Sequence, residues 1–236
     1  MLWSSSSCLV SVEEHSSALA HNGVLFLDEV TEFRRDALEG LRQPLEDGHI
    51  VVARASGAVE FPARFTLVAA SNPCPCGFEG DPKRACRCAP NRAMAYQQRL
   101  SGPLLDRVDI QLSIPRLSRA ELLGCEPGER SEAIRNRVEQ ARERQRARLR
   151  GTAWTCNART PGRFARRTSL LTADAERYLS GAVDSLALSG RGFDRAVKVA
   201  RTIADLEGSE RVEGGHMSEA LGYRAALAKE EAAAVG

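Results

Sequence analysis

The six residues Val24-Leu25-Phe26-Leu27-Asp28-Glu29 constrain the fold more than any other stretch of this chain. Four successive apolar residues are typical of a parallel strand that helices bury on both faces. Asp28 and Glu29 then place two carboxylates at the carboxyl end of the strand, the edge where α/β sheets bind their ligands. In a nucleotide-hydrolysing fold, Asp28 would hold Mg²⁺ and Glu29 would activate water. The alternative is an ordinary strand followed by a helix whose N-terminus favours acidic residues.

A second apolar run, Phe65 to Ser71, also ends in a polar residue, Asn72. It predicts a second buried strand. If the two strands are neighbours, Asn72 lies beside Glu29 at the same edge of the sheet, where its neutral amide can orient an attacking water. The alternative is that Asn72 only forms a turn before Pro73, because Asn-Pro favours turns.

Between these strands the pattern predicts one helix from Thr31 to about Glu46, ended by Gly48. Two β-prone runs follow within residues 49–61 and indicate a hairpin that turns through Ser56-Gly57. After the second strand we expect a helix over about 92–105, with a turn or kink inside it. An alternating strand is then predicted over 108–114, ended by Pro115.

From Leu117 onwards no further strand is predicted. Residues 131–150 have a helical pattern, residues 155–167 are basic and irregular, and three helices are predicted over about 172–188, 192–207 and 215–231. The fold class is therefore α/β followed by an all-helical region. The predicted division is a poorly specified segment 1–20, a partial α/β core 21–116, a charged connector 117–167 and a helical domain 168–236.

The cysteines are clustered in a loop over about 73–90. Four thiolates suffice for a closed tetrahedral Zn²⁺ site, although the two C-x-C pairs are spaced more tightly than the usual C-x₂-C. We favour structural zinc over four free thiols because the cysteines cluster in a chain without signs of secretion. Three further cysteines stand apart and are predicted to be ordinary thiols: Cys8, Cys125 and Cys156. The candidate zinc ligands are Cys74, Cys76, Cys86 and Cys88.

Three arginines are candidates for anion contacts. Arg107 lies at a predicted helix-to-strand junction, from which an arginine can reach a phosphoryl group; the alternative is a salt bridge with a neighbouring aspartate, Asp106 or Asp109. Arg191 and Arg195 lie at a predicted helix start, which is unfavourable for a cation unless an anion is near. That anion is a nucleotide phosphate or simply an acid such as Asp194.

Charge and hydropathy narrow the class of protein. The formal net charge is only +2, so the whole chain does not favour nucleic acid. The arginine-rich segment 129–150 could meet phosphates, but we favour a solvated helix with Glu–Arg pairs. The sequence has no apolar run of the roughly 20 residues that a membrane span needs, and no pattern typical of a signal peptide. These observations predict a soluble, cytoplasmic protein without a membrane partner.

Six segments in order resemble the magnesium-chelatase-like AAA+ ATPases of the ComM/YifB group, from about Ala18 to Arg224. The segments are Leu19–Glu29, Leu41–Gly48, Phe61–Phe65, Asn72–Gly77, Ser101–Arg107 and Ala200–Leu206.

The resemblance implies a partial AAA+ P-loop NTPase core with a β-hairpin insertion, followed by a helical lid. Asp28 and Glu29 match the Walker B pair, Asn72 matches sensor 1, and Arg107 matches the arginine finger that acts on a neighbour's nucleotide in a hexameric ring. Arg191 matches sensor 2, with Arg195 as the weaker choice.

The same resemblance implies ATP with Mg²⁺ as cofactors and DNA as a partner. The hairpin over 49–61 corresponds to one that points into the pore of the ring in related machines, where His49 and Arg54 would touch DNA. Within the group, ComM is similar to a branch-migration helicase that aids natural transformation.

One departure from the family pattern limits the expected activity. Family members carry a Lon-protease-like domain and a Walker A loop, whereas no Gly-Lys-Ser or Gly-Lys-Thr occurs in this sequence. We expect a truncated or wrongly started reading frame, and a chain that alone binds ATP weakly and hydrolyses essentially none. The alternatives are a non-catalytic, zinc-stabilised DNA-binding or interaction module, and a non-functional remnant whose sheet exposes an apolar edge.

Overall fold

The computed structural model describes residues 15–54, 57–117, 119–124 and 128–235. The chain divides into two compact units, Met1–Val108 and Asp109–Gly236. A parallel sheet with helices lies in the first unit and the second is mostly helical, which confirms the predicted fold class.

The first unit contains all the strands of the described residues. In chain order its elements are α1 His15–Leu19, β1 Val24–Leu27, a 3₁₀ turn Val30–Glu32, α2 Arg35–Gly40, α3 Arg42–Asp47, β2 His49–Arg54, β3 Gly57–Pro62, β4 Thr66–Ala69, α4 Pro90–Gln97 and α5 Gly102–Leu105.

Strands β1 and β4 pair in parallel, from Val24 opposite Thr66 to Leu27 opposite Ala69. The two apolar strands are therefore neighbours, which is the condition on which the expected position of Asn72 depended. The prediction that both are buried is wrong, since Val24 and Val68 are 58% and 43% exposed. Within the described residues only one face of this two-stranded sheet is covered. Leucines of both strands pack there against leucines of α2, α3, α5 and the junction of α2 with α3: Leu25, Leu27, Leu67, Leu38, Leu41, Leu45 and Leu104.

The single helix predicted from Thr31 to Glu46 is broken in the structure. Phe33 and Arg34 are extended and separate the 3₁₀ turn from α2. Pro44 lies in the first turn of α3, where it cannot donate to the carbonyl four residues earlier and would clash with it in a continuous helix. Gly48 ends α3 in the left-handed conformation (φ 74°), so the predicted stop is confirmed.

Strands β2 and β3 pair antiparallel from His49 opposite Pro62 to Arg54 opposite Gly57, so the predicted hairpin is confirmed. The helix predicted over 92–105 is two helices, α4 and α5. The Ser101 hydroxyl accepts the N–H of Leu104 and caps α5, so Gly102-Pro103 begins a new helix and does not kink an old one.

The alternating segment 108–114 does not form a strand, so that prediction is wrong. Ile110 and Leu112 are solvent-exposed, and Ile114 is 86% exposed. A strand needs a neighbouring edge to receive its backbone hydrogen bonds. The described residues supply no such edge here, and the N–H of Gln111 donates instead to the carbonyl of Tyr223 (3.1 Å).

The second unit packs around one long helix, α10. Its elements are α6 Arg119–Leu123, α7 Ser131–Arg148, a 3₁₀ turn Asn157–Arg159, α8 Gly162–Thr168, α9 Ala173–Ser185, α10 Gly190–Glu207 and α11 Gly214–Val235. Small apolar residues of α10 form the centre of its core, against α8, α9 and α11. The core includes Ala196, Val197, Ala200, Ala204, Ala165, Ala175, Leu179, Val212 and Met217.

Several helix ends of this unit follow the sequence signals. The Thr172 hydroxyl accepts the N–H of Ala175 and caps α9, and Gly208 ends α10 with φ 81°. The segment 155–167 contains α8, however, so its interpretation as irregular is wrong. A short helix with three arginines and little apolar periodicity gives no sequence signal, and packing against α10 stabilises it.

Candidate nucleotide and metal sites

The two acidic residues that follow β1 lie in a tight turn at its carboxyl end. Asp28 and Glu29 are both exposed. Glu29 has φ 50° and ψ 45°, a left-handed conformation that residues with a side chain rarely adopt. One oxygen of the Asp28 carboxylate accepts the N–H of Glu29 (2.9 Å). Hard cations prefer oxygen ligands such as an exposed carboxylate.

Hydrogen bonds fix this turn to the end of β4. The N–H of Ala70 donates to the carbonyl of Leu27, and the N–H of Val30 donates to the carbonyl of Ala70, both at 2.9 Å. The carboxyl ends of both strands therefore meet at one edge of the sheet. Asn72 follows β4 by three residues, is exposed, and belongs to the loop that leaves this edge.

Arg107 is buried inside its own unit. It is 8% exposed, donates to the carbonyl of Pro103 (2.7 Å) and forms an ion pair with Glu46 at the end of α3. Its Nε has no hydrogen-bond partner among the described residues. Sequence reasoning named Asp106 or Asp109 as the alternative partner and missed Glu46, although Glu46 lies inside one of the family-like segments.

The two candidate arginines of the helical unit lie in the first turns of α10. Arg191 is exposed and follows Ser189, whose hydroxyl accepts the N–H of Gly192 (3.0 Å). Arg195 lies one turn later and forms an ion pair with Asp109. The alternative of an acidic partner thus holds for Arg195, with Asp109 in place of the suggested Asp194.

His49 lies at the base of the hairpin, beside an open pocket of about 350 Å³. Its Nδ1 lies 3.8 Å from a carboxylate oxygen of Glu60 on the paired strand. His21 lines the same pocket and accepts the N–H of Arg64 (3.1 Å). The side chain of Arg54, the other DNA-contact candidate, lies outside the described residues.

The four clustered cysteines converge on one point. Their sulfur atoms all lie within 4.8 Å of one another, and three of the distances are 3.4, 3.5 and 3.6 Å. A tetrahedral site with Zn–S bonds of about 2.3 Å has sulfur–sulfur distances of about 3.8 Å. The donor set Cys74, Cys76, Cys86 and Cys88 therefore matches the size and chemistry of a metal site.

Backbone hydrogen bonds favour the thiolate at one position of this loop. The N–H groups of Arg87 and Phe78 lower the pKa of Cys76 to about 6, whereas burial and hydrogen bonds among the thiols raise the pKa of Cys86 to about 12 and also raise the pKa of Cys88. Gly77 has φ 77°, and its N–H closes a turn onto the carbonyl of Cys74 (2.9 Å). The Asp81 carboxylate accepts two backbone N–H groups, and the Arg84 guanidinium stacks 3.9 Å from the Phe78 ring. No local sequence pattern predicts these bracing contacts.

Of the three isolated cysteines, only Cys156 lies in the described residues, where it is a buried free thiol. Cys8 and Cys125 lie outside them.

Two family models match the chain in succession. One, described as magnesium chelatase, subunit ChlI, matches residues 10–122; the other, described as the ChlI C-terminal part, matches residues 128–224. The chain belongs to this magnesium-chelatase family. The first match begins at residue 10, so the similarity extends further towards the N-terminus than the resemblance from Ala18 predicted.

Relatives from two bacteria show the same relationship. The competence protein ComM of Haemophilus influenzae is 44% identical over 210 residues, and YifB of Escherichia coli is 42% identical over 214 residues. Each alignment covers 88% of this chain but 40% of the relative. The chain thus spans about two-fifths of the length of the curated relatives it matches. Among the described residues, no helix has both the length and the apolar character that crossing a membrane requires.

Proposed function

We propose that this chain supplies the water-activating half of an AAA+ ATPase site in a ComM-like protein. The observation that carries the proposal is the parallel register of β1 and β4. It brings the ends of both strands, with Asp28, Glu29 and the loop to Asn72, to one edge of a sheet. Ligands of α/β sheets bind at this edge.

Each residue has a distinct role in the proposed site. Asp28 holds Mg²⁺, whose charge neutralises the phosphates of ATP. Glu29 accepts the proton of the attacking water, and the neutral amide of Asn72 orients that water. The left-handed backbone at Glu29 supports this assignment, because strained residues cluster at active sites.

Two arginines are proposed to contact nucleotide phosphates. Arg107 acts on a neighbour's nucleotide in a hexameric ring, and Arg191 contacts phosphate from the helical unit. For Arg107 this role requires its ion pair with Glu46 to open, since the side chain is only 7% exposed in the single chain. We further propose that hydrolysis is coupled to DNA remodelling in the cytoplasm, as the relationship to a competence protein suggests.

The cysteine cluster adds a structural Zn²⁺ to this proposal. Four thiolates close the coordination sphere, so the metal would stabilise the loop and leave no open position for catalysis. The loop directly follows Asn72, and Gln97 of α4 donates to the carbonyl of Pro73 (3.1 Å). Zinc would therefore hold the chain that leaves the proposed ATPase edge.

A chimera tests the catalytic proposal. Residues 10–224 of this chain replace the corresponding part of Haemophilus ComM, which retains its own remaining sequence. We expect Mg-ATP hydrolysis that falls by about 10²-fold or more in Glu29→Gln, the size typical of a lost general base. Glu32→Gln, three residues later, is the matched control and should keep the activity.

Two outcomes would contradict the proposal. A folded chimera without hydrolysis would show that the segment does not supply the catalytic residues. A chimera that is equally active with Glu29→Gln would assign water activation elsewhere. The 236-residue chain by itself should show no turnover above its own Glu29→Gln variant.

A second candidate function is a zinc-stabilised binding module without catalysis, which the convergence of the four sulfur atoms favours. It predicts salt-sensitive DNA binding by the isolated chain that does not change when Mg-ATP is added. ATP-dependent binding by the chimera would reject this alternative.

A further inference from the structure

The charge of this chain is concentrated in one stretch of the helical unit. Residues 144–173 contain eight arginines and no acidic residue, whereas the formal net charge of the entire chain is only +2. The stretch runs from the end of α7 through a loop to α8 and the start of α9. The arginines are Arg144, Arg146, Arg148, Arg150, Arg159, Arg163, Arg166 and Arg167.

Some of these arginines have structural roles. Arg148 forms an ion pair with the fully buried Asp205 (2.5 Å), and Arg144 donates to the Asp205 carbonyl (2.9 Å). Arg166 pairs with Asp194 (2.8 Å) and stacks 5.2 Å from the ring of Phe193. These contacts hold α7 and α8 onto α10.

Four others face solvent. Arg146 lies in the last turn of α7 and Arg150 lies two residues beyond its end, while Arg163 and Arg167 are four residues apart on α8. Residues four apart on a helix lie on the same side, so the like charges of Arg163 and Arg167 repel. In the described part of the chain, these four guanidinium groups form no ion pair. They are named the arginine surface below.

The elements that carry the arginine surface are fixed to one another. The Asn157 amide oxygen accepts a hydrogen bond from Arg148 (3.1 Å), and the Asn157 N–H donates to the Gln145 side chain (3.3 Å). The Trp154 and Phe164 rings lie 4.7 Å apart, which joins the loop to α8. A ligand therefore meets a pre-ordered set of charges and does not have to order the loop.

We propose that the arginine surface binds the phosphate backbone of nucleic acid. The inference rests on the proposed role in DNA remodelling and adds a contact outside the hairpin. Asp194 lies against α8 and pairs with Arg166, so the four exposed guanidinium groups that form no ion pair within the described residues are the ones left to attract an anion. The planar guanidinium donates two hydrogen bonds to one phosphate. Contacts of this kind position nucleic acid without reading its sequence.

The simpler interpretation, a solvated helix with Glu–Arg pairs, holds for the earlier part of α7. There Arg137 pairs with Glu129 (2.8 Å), and further acidic residues share the helix. It fails beyond Glu143, because the next acidic residue in the chain is Asp174.

The experiment uses the full 236-residue chain and two variants of equal charge. The surface variant changes Arg146, Arg150, Arg163 and Arg167 to Gln. The control variant changes four other exposed arginines of the same unit to Gln: Arg130, Arg135, Arg177 and Arg211. Circular dichroism first verifies that both variants fold, and fluorescence anisotropy then measures binding of duplex and single-stranded oligonucleotides over a salt series.

We expect the surface variant to bind at least about tenfold more weakly at 0.1 M salt. Its slope of log K against log salt should fall by about 2 to 4, because each phosphate contact on duplex DNA contributes about 0.9. The control variant should lose less than half as much.

Four results would overturn the inference. Equal losses in both variants would show that only net charge matters. Equal competition by poly-glutamate of the same charge would assign the surface to acidic proteins. If the surface variant binds DNA as tightly as the unaltered chain, the contact lies elsewhere and DNA remains a partner. If the unaltered chain does not bind DNA, both the arginine surface and the DNA part of the proposed function are rejected.

Discussion

At the scale of single residues, Glu29 is the most informative position. Its left-handed backbone costs about 1–2 kcal/mol for an L-residue. Glycine would remove that cost, yet the chain keeps a carboxylate where the sheet edge can use one. The backbone thus favours glycine and the proposed chemistry favours glutamate.

Glu29→Gly should raise the free energy of unfolding by about 0.5–1 kcal/mol, since the relieved strain exceeds the extra entropy of an unfolded glycine. The same change should remove hydrolysis from the ComM chimera. Glu29→Gln is the control, with stability unchanged within about 0.5 kcal/mol because the backbone strain remains. Urea unfolding measures both values, and a lower stability for Glu29→Gly would contradict the strain argument.

In the helical unit, the residue with the most consequential side-chain contacts is Asp205. It is fully buried between two arginines, with Arg148 at 2.5 Å and Arg201 at 3.1 Å. Burial lowers the pKa of Arg201, and the Asp205 carboxylate opposes that shift. Asp205 also accepts a hydrogen bond from the Asn157 amide (2.9 Å), so one carboxylate joins α7, α10 and the loop between α7 and α8.

Asp205→Ala should lower the free energy of unfolding of this unit by about 3–5 kcal/mol, because removal of one partner leaves buried charge without compensation. Arg177→Ala breaks the exposed pair with Asp174 and should cost less than about 1 kcal/mol. Guanidinium unfolding followed by circular dichroism compares the two. Equal effects would show that the buried network contributes no more than a surface pair.

At the scale of elements, the cysteine loop lacks helices and strands of its own. Residues 73–89 precede α4, and turns and the buried side chain of Cys74 organise them. A metal would replace the missing hydrophobic core of this segment, as happens in small zinc domains.

Native mass spectrometry should find one zinc ion per chain. Cys74→Ser and Cys86→Ser should each lose it, while Cys156→Ser removes an isolated buried thiol and should retain the metal. With zinc bound, the four clustered thiols should resist alkylation, and a strong chelator should expose them. Four freely reactive thiols in the untreated chain would reject the metal site.

At the scale of the whole molecule, the two units have separate cores. The first is built from leucines of β1, α2 and α5, and the second from small residues of α10 and its neighbours. The proposed zinc site belongs to the first unit and the Asp205 network belongs to the second.

Calorimetry should therefore show two thermal transitions. Chelation of zinc should lower only one of them, and Asp205→Ala should lower only the other. A single transition that both treatments shift would show that the units unfold together. As a matched comparison, the same calorimetry with chelator is carried out on the Cys156→Ser variant. This substitution changes a thiol but none of the proposed metal ligands.

The sequence by itself determined the local features of this protein. Apolar runs that end in polar residues predicted the two strands, glycine and threonine predicted helix ends at Gly48, Gly208 and Thr172, and clustered cysteines predicted a metal-binding loop. These signals depend on backbone preference and short spacing, which few distant contacts override. The family resemblance carried by six short segments was likewise confirmed.

Features that depend on a partner distant in sequence were decided only by the tertiary structure. Segment 108–114 has the alternation of a strand but no neighbouring edge in the described residues, and β4 has an apolar face that those residues leave uncovered. Arg107 pairs with Glu46, 61 residues earlier, rather than with the aspartates beside it. Arginines of similar sequence context either form ion pairs that link helices or remain exposed charges. Burial and ion pairing depend on which surfaces the folded chain brings together.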